Sequence, residues 1–331
     1  MPLKVLLIGL GRWGQVHLKT WKQLGVDLLL CDASEALLEQ GRASALKVGS
    51  DYRALLEEAD VVDVVTPAPS HRGIVEAALE AGKDVHCEKP LTLTSEESYA
   101  LTDLADSRGR LLQVGHVFRF EPSVEAAREI LRSGKIGKVR YISAHFSGFK
   151  RPRNDGGVAV SDGIHMIDTV TYLLEKQPRK VTAVLRDFLG RGMDDAAFIS
   201  LDFGREMAQV EASYFPSVKK RGLEIVGDAG AIVCDMLAPA KEKVKVYANA
   251  HARKGAEWTA AESAPVTVEV KDEEPLKREL ADFMRCVETR ARPNADGYAG
   301  AHAVAAIEAA ERSAKEGRAV EVQIRLPAYA N

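Results

Sequence analysis

The chain has 331 residues, of which 46% are hydrophobic and 28% charged, and its formal net charge is −3 at pH 7. These values suit a soluble protein of two domains, and the weakly negative charge argues against nucleic acid or an anionic membrane as the main partner. No apolar run reaches the ~18 residues of a membrane span. We therefore expect a small-molecule ligand. The four cysteines are widely scattered without a CxxC pair, which favours buried thiols in the reducing cytoplasm.

The first 120 residues alternate short apolar runs with helical stretches, which predicts βαβ units and a doubly wound parallel sheet. The predicted strands are 3–8, 26–31, 61–65, 85–87 and 111–114. Beyond residue 121 strands follow one another mostly without helices between them, which favours an α/β domain with an open, mainly antiparallel sheet. The expected domains are therefore 1–120 and 121–331. Residues 249–271 are polar and weakly patterned, and we expect an irregular segment there.

A glycine-rich turn follows the first predicted strand and opens a helix. Gly9 permits a tight turn, Gly11 lets the backbone approach a pyrophosphate, and Gly14 lets helix and strand pack closely. Asp32 ends the second strand at about the distance where a carboxylate receives ribose hydroxyls. The sequence thus predicts a dinucleotide site, which also includes Arg12 and Trp13 of the turn.

The cofactor expected at this site is NAD, with NADP less favoured. The Asp32 carboxylate would repel a 2′-phosphate and accept a hydrogen bond from a 2′-hydroxyl. Ser34 and Arg42 lie nearby in the sequence and leave NADP open as an alternative.

Two further strand ends point toward the same site. Thr66 and Pro67 follow the third predicted strand where the nicotinamide end of the dinucleotide would pass, and His71 is either a cofactor contact or a polar residue in the next helix. Glu88 and Lys89 end the fourth predicted strand directly before a proline, which restricts Lys89 to extended backbone. A lysine at the carboxyl end of a parallel strand can meet a ligand.

Taken in order, these segments resemble the Gfo/Idh/MocA oxidoreductase family over nearly the whole chain. The matching segments are Gly9–Gly14, Asp32, Thr66-Pro67 with His71, Glu88-Lys89-Pro90, Val114-Gly115-His116-Val117-Phe118-Arg119-Phe120, and Gly156-Gly157 followed by Asp162, His165 and Asp168. The resemblance implies a Rossmann domain joined to an α/β domain whose open sheet often forms the oligomer contact, so we expect a homodimer or homotetramer. It also implies hydride transfer between nicotinamide and a hydroxyl of a sugar, cyclitol or nucleotide sugar.

The resemblance assigns Lys89 to both cofactor and substrate, and Glu88 to the cofactor site. It also implies an aspartate commonly four residues before a histidine, but here Ser161 holds that position and Asp162 lies three residues before His165. Positions three apart share a helix face, so Asp162 can still flank the imidazole. Asp162 is equally suited to cap the helix.

Oxidising a secondary alcohol requires a proton acceptor beside a group that favours the developing alkoxide. An imidazole with a reference pKa near 6.5 suits the first role and an ammonium the second, so we assign His165 as base and Lys89 as its electrostatic partner. Either Asp162 or Asp168 could orient His165. The histidines show no HxxxH spacing, and we expect no metal.

Arginines supply the other predicted substrate contacts. Arg151 and Arg153 lie in a basic loop that is either a solvated turn or a site for the phosphate or carboxylate of a UDP-sugar or sugar acid. Arg119 is also assigned to the substrate pocket. The leading hypothesis is an NAD-dependent dehydrogenase of a sugar or nucleotide sugar, with an inositol dehydrogenase and a non-catalytic NAD/sugar-binding sensor as alternatives.

Overall fold

The computed structural model describes residues 2–326, and within them the chain divides into two units. The first contains the residues before Phe118 together with Glu274–Val304 and residues 325–326, and the second contains Phe118–Glu273 and Ala305–Ile324. The predicted boundary at residue 120 is close to the first of these breaks. No local pattern in the sequence indicates that residues 274–304 belong to the first unit.

The helices and strands are numbered in chain order. The helices are α1 Arg12–Leu24, α2 Glu35–Gly41, α3 Arg53–Leu56, α4 His71–Glu80, α5 Ser95–Ser107, α6 Pro122–Arg132, α7 Ile164–Leu174, α8 Pro275–Thr289 and α9 Gly297–Glu316. The strands are β1 Lys4–Ile8, β2 Asp27–Cys31, β3 Lys47–Gly49, β4 Val61–Val64, β5 Asp84–Cys87, β6 Leu112–Val114, β7 Val139–Ser147, β8 Lys180–Arg186, β9 Ala196–Asp202, β10 Met207–Ser213, β11 Lys220–Gly227, β12 Ala231–Asp235, β13 Val244–Tyr247, β14 Ala250–Lys254, β15 Glu257–Ala261, β16 Val266–Val268 and β17 Val320–Glu321.

The first unit is built on a six-stranded sheet in the order β3-β2-β1-β4-β5-β6. Every neighbouring pair is parallel, so the predicted doubly wound parallel sheet is confirmed. The chain winds outward in opposite directions from β1, and the crevice between β1 and β4 is where such folds bind ligands. Strand β3 was not predicted, because three residues are too few to show an apolar pattern.

Both faces of this sheet are covered by helices. Val5 and Leu7 of β1 pack with Trp21 of α1 and Phe283 of α8 on one face. Leu6 and Ile8 belong to the core on the opposite face, together with residues of α4 and α5. Helix α8 is also tied to the sheet by Arg290, whose guanidinium donates to the Asp84 carboxylate at 2.5 Å.

The second unit contains a nine-stranded sheet in the order β16-β13-β12-β11-β7-β10-β9-β8-β17. Only the central pair β7/β10 is parallel among these strands, so the predicted open, mainly antiparallel sheet is confirmed. Helix α7 contacts β7 and β10. Large apolar side chains are exposed on several strands of this nine-stranded sheet, namely Tyr141, Val184, Phe198 and Met207.

The expectation of an irregular segment over 249–271 is wrong. Strands β14 and β15 form a hairpin there, and β16 pairs with β13 in the large sheet. The residues of the hairpin strands are all exposed, so they carry no alternation of apolar and polar side chains for a sequence pattern to detect.

Two further features bear on the expected location. All four cysteines are free and buried. Among the described helices, none combines the length and the hydropathy that crossing a membrane requires.

Candidate functional site

The glycine-rich turn between β1 and α1 is shaped by close backbone contacts. Gly9 has φ +97°, and a Cβ there would lie 2.6 Å from the Val65 carbonyl oxygen. A Cβ on Gly14 would lie 2.0 Å from the Gly9 carbonyl oxygen, whereas a Cβ on Gly11 would meet no protein atom within 4 Å. Packing therefore requires glycine at 9 and 14, while the open space at Gly11 lies at the N-terminus of α1, where a phosphate can approach. Arg12 and Trp13, the other turn residues assigned to the cofactor, begin α1 and are exposed.

Asp32 lies at the end of β2 and holds this turn. Its carboxylate accepts hydrogen bonds from the backbone N–H of Leu10 at 2.7 Å and of Ser34 at 2.8 Å. Each carboxylate oxygen has a second lone pair, so Asp32 can also accept ribose hydroxyls. The Arg42 guanidinium is paired with Glu39 and Glu35, which disfavours its use for a 2′-phosphate.

His71 connects the loops that follow β4 and β5. The ring is buried, and its nitrogens lie 2.8 Å from the Thr66 carbonyl oxygen and 2.9 Å from that of Pro90. Ser70 donates from its hydroxyl to Thr66 and to the Pro67 carbonyl. Direct contact of Thr66, Pro67 and His71 with the cofactor stays a prediction, and the structure gives His71 a role in shaping the loop.

Glu88 joins the lysine segment to the glycine-rich turn. Its Oε1 accepts a hydrogen bond from the Trp13 indole at 2.7 Å, and its Oε2 accepts one from the backbone N–H of Lys89 at 3.1 Å. A Cβ on Gly115 would lie 2.8 Å from the same Oε1, so the neighbouring loop must be glycine at that point. Lys89 is therefore anchored next to the predicted dinucleotide site through its main chain. The peptide bond between Lys89 and Pro90 is cis.

A buried polar network lies beneath Glu88. The Asp63 carboxylate accepts a hydrogen bond from Trp21 at 2.6 Å and contacts His17 at 2.8 Å and His86 at 2.9 Å. The other ring nitrogen of His17 lies 3.3 Å from Glu88. The network links α1, β4 and the end of β5 within the first unit.

The ionisation of this network follows from its contacts. Burial alone would lower the pKa of His17, but the Asp63 and Glu88 carboxylates raise it to about 10. Burial would raise the pKa of Glu88, yet His17 and Lys89 bring it down to about 2. The pKa of Asp63 is likewise held well below its usual range, because its two histidines outweigh its burial. His17 is thus an imidazolium between two carboxylates near neutral pH.

His17, Asp63 and His86 also place one ligand atom each within 4.8 Å of one another, a set that could hold a metal ion. The same atoms make hydrogen bonds that satisfy both oxygens of Asp63. We interpret the set as a charge network, and the absence of a metal stays a prediction.

In the second unit, His165 lies in the first turn of α7 and packs against two aromatic rings that also contact each other. Its ring centroid is 4.9 Å from that of Phe118 and 5.8 Å from that of Phe146. The half-buried imidazole has a buried Nδ1. The aromatic contacts fix the orientation of the ring.

Asp162 lies just before α7, in a π-helical turn spanning Ala159–Gly163. Its carboxylate forms an ion pair with Lys150 at 2.5 Å, and the Lys150 ammonium lies 4.6 Å above the Phe146 ring. Ser161 shares a hydrogen bond of 2.7 Å with the Tyr214 hydroxyl. Asp162 and His165 thus lie in consecutive turns, and the ion pair with Lys150 adds a residue that the sequence did not predict.

The predicted arginines have different environments. Arg119 is buried and holds the Asp168 carboxylate through Nε and a terminal nitrogen, at distances of 2.6 to 3.1 Å. Arg153 binds Asp155 through two nitrogens, and Arg151 is exposed. Their assignment to the substrate stays a prediction.

Sequence reasoning missed His17, Asp63 and the Lys150 ion pair. An aspartate in the centre of the apolar strand β4 was the available signal, because a buried carboxylate requires partners. The pairing of Lys150 with Asp162 had no sequence signal, because the two residues are twelve positions apart in the chain and no local pattern joins them.

Family models match both parts of the chain. A model described as an oxidoreductase family with an NAD-binding Rossmann fold matches residues 3–116, and a model of that family's C-terminal α/β domain matches residues 128–322. D-Apiose dehydrogenase of Paraburkholderia graminis is 30% identical over 97% of this chain and 90% of its own length. Inositol 2-dehydrogenase of Rhizobium meliloti is 25% identical over 97% of this chain and 100% of its own length.

A solved structure of levoglucosan dehydrogenase in complex with NADH and levoglucosan shares the fold. Its TM-score is 0.85 at 22% identity, and the match covers 98% of this chain and 100% of the other. Together with the family models, this match confirms the predicted resemblance and fold class.

The glycine-rich turn yields a prediction that separates folding from binding. Gly14→Ala should lower the free energy of unfolding by about 1–3 kcal/mol, because its Cβ would overlap the Gly9 carbonyl. Gly11→Ala should change it by less than about 1 kcal/mol, yet weaken NADH binding about tenfold by filling the open approach. Urea unfolding and fluorescence titration with NADH measure the two effects. Normal NADH affinity in Gly11→Ala would show that the phosphates do not approach there.

The charge on His17 predicts a pH-dependent stability. A pKa raised from 6.5 to about 10 stabilises the fold fully below pH 6.5, and this contribution declines as the pH rises toward 10. His17→Gln should therefore cost about 3 kcal/mol at the lower pH and less at the higher one. Urea unfolding across this pH range measures the difference in free energy of unfolding between the wild type and His17→Gln, with the exposed Lys19→Gln as control. A constant gap would mean that His17 is neutral throughout.

Proposed function

The chain belongs to the Gfo/Idh/MocA oxidoreductase family, and we propose that it is an NAD-dependent dehydrogenase that oxidises a secondary hydroxyl of a sugar. The first unit is the NAD-binding Rossmann domain of this family. The open approach at Gly11 and the remaining lone pairs of Asp32 suit the pyrophosphate and ribose of the dinucleotide.

The observation that carries the proposal is the link from the glycine-rich turn to Lys89. Glu88 holds the Trp13 indole of the turn with one oxygen and the Lys89 main chain with the other. A lysine anchored in this way stands where the reactive end of the cofactor and a substrate hydroxyl would meet. An ammonium at that point favours an alkoxide and so lowers the barrier to hydride loss.

His165 is the proton acceptor in this mechanism. Its Nδ1 is buried, so we assign Nε2 to accept the hydroxyl proton. The hydride leaves the same carbon, and bound NAD supplies the hydride acceptor. Asp162 forms an ion pair with Lys150 close to His165 in the chain. Its carboxylate can also accept a hydrogen bond from a second substrate hydroxyl.

Relatives support a polyhydroxylated substrate. One is a D-apiose dehydrogenase and another an inositol 2-dehydrogenase, so a cyclitol is the alternative to a sugar or nucleotide sugar. A sensor that binds NAD and sugar without turnover is the alternative of another class. The combination of Lys89 with His165 favours the enzyme.

The assembly and location follow from the same reasoning. We assign the second unit to substrate binding and to a homodimer or homotetramer contact through its open sheet, on which Tyr141, Phe198 and Met207 are exposed. The four free, buried cysteines support a location in the cytoplasm.

The catalytic assignment predicts the behaviour of two variants. Lys89→Ala and His165→Phe should each lower kcat by about 100-fold or more. The first removes the positive charge that favours the alkoxide, and the second removes the group that accepts the hydroxyl proton. The measurement is absorbance of reduced nicotinamide during reaction of NAD with inositols, aldoses and UDP-sugars. The exposed Lys277→Ala serves as control. Tight sugar binding without any NAD reduction by the wild type would favour the sensor instead.

The assembly proposal predicts a change in mass. Phe198→Glu should dissociate the oligomer, because it buries a carboxylate in the apolar contact. Light scattering coupled to gel filtration measures the mass, and Leu46→Glu, at an exposed position of the first unit, should leave it unchanged. A monomeric wild type would exclude the assembly.

A further inference from the structure

Arg221 shares its aromatic contacts with His165. It lies on β11 directly opposite Phe146 of β7 in the sheet register. Its guanidinium carbon is 4.3 Å from the centroid of the Phe146 ring and 5.9 Å from that of Phe118. The His165 imidazole packs against the same two rings, which also contact each other. The guanidinium and the imidazole therefore border the same aromatic pair, within reach of a single small molecule.

The guanidinium of Arg221 is not neutralised within the protein. Its Nε is buried without a hydrogen-bond partner, and no carboxylate of residues 2–326 lies within ion-pair distance of it. The carboxylates that raise the pKa of Arg221 by their charge are those of Asp162 and Glu121, and each of them already forms an ion pair with a lysine. This contrasts with Arg119 and Arg153, whose guanidinium groups each bind a carboxylate.

Burial has a measurable consequence for this side chain. Desolvation lowers the pKa of Arg221, and the more distant carboxylates of Asp162 and Glu121 only partly oppose it. A partly desolvated cation with unused donors destabilises the unliganded protein. An anion that binds there recovers this energy, and the five N–H donors of a guanidinium match a carboxylate with two parallel hydrogen bonds.

We propose that Arg221 is the specificity residue of this site and that the substrate is a sugar acid whose carboxylate binds its guanidinium. The charges around this site favour a substrate with a single negative charge. Within the second unit the Lys150 ammonium is matched by Asp162, whereas Arg221 has no carboxylate partner among residues 2–326. A neutral sugar would leave that charge unmatched, and a diphosphate would bring more negative charge than this one cation balances.

This proposal rests on the proposed dehydrogenase. It assigns binding of the substrate's anionic group to Arg221 on β11 and not to Arg151 and Arg153 of the loop. Arg153 binds Asp155 and would have to give up that pair to bind a substrate. Arg221 gives up nothing, because its donors have no partner to lose. The oxidation itself is unchanged: a hydroxyl carbon of the sugar acid loses hydride to NAD and the hydroxyl proton goes to His165.

The experiment uses pairs of compounds that differ in one carboxylate: D-glucuronate with D-glucose, D-galacturonate with D-galactose, and D-gluconate with D-glucitol. NAD reduction by the full chain is measured with each, and binding is measured separately by calorimetry in the presence of NADH. The wild type should favour the acid of at least one pair in both assays. Arg221→Gln should lower kcat/KM and affinity for that acid by about 10- to 100-fold, the loss expected for a charge-assisted hydrogen bond, and should leave the neutral partner within about threefold.

Two variants control for folding and for charge. Lys220→Gln removes an equal charge from the neighbouring, exposed position on β11 and should leave the discrimination intact. Arg221→Lys should retain part of the preference for the acid. The melting temperature of unliganded Arg221→Gln should be equal to or above that of the wild type, since an uncompensated cation has been removed, and a marked decrease would point to a structural role and overturn the proposal.

The outcomes separate this proposal from the dehydrogenase. Selective acid binding that Arg221→Gln abolishes, without NAD reduction, would support the acid site and refute the enzyme. Turnover of neutral sugars by the wild type with no preference for any acid over its neutral partner would support the enzyme and overturn the acid site. Equal losses for both members of a pair, or no binding and no turnover of any acid, would also overturn it.

Discussion

The buried carboxylate of Asp63 is the constraint on which the cofactor-binding half of the structure depends. A carboxylate that is fully removed from water stays ionised only if donors surround it, and here Trp21, His17 and His86 do so. The donors come from α1 and β5, while Asp63 lies on β4. The network therefore fixes the helix that begins at the glycine-rich turn against the two strands whose ends carry the predicted cofactor loops.

Hydrogen bonds connect this network to the main chain of Lys89. The His17 imidazolium lies between Asp63 and Glu88, and Glu88 in turn holds the Lys89 main chain. The lack of a side chain at Gly115 leaves the room that the Glu88 carboxylate occupies. The main chain of Lys89 is thus held by groups of the first unit, which restricts where its side chain begins before any substrate binds.

The sequence predicted the parts of the fold and site that depend on local patterns. The glycine-rich turn, Asp32 and the Lys89 segment could be located because each follows an apolar strand at a fixed distance. The strand β3 and the exposed hairpin of β14 and β15 lacked such a pattern and were missed. Partners distant in the chain were also inaccessible: nothing local joins His17 to Asp63, or Arg221 to Phe146, and only pairing of strands and packing of helices brings them together.

The two units differ in how their buried charges are satisfied, and this difference bears on function. In the first unit each ionised group of the network has an oppositely charged partner inside the network, because His17 lies between the carboxylates of Asp63 and Glu88. In the second unit Lys150 and Asp162 are paired while Arg221 keeps unused donors over an aromatic surface. A cofactor common to many oxidoreductases is served by a site that is complete before binding. Discrimination among substrates is better served by a group whose partner must arrive with the substrate, because a molecule lacking that partner leaves the desolvation cost of the cation unrelieved.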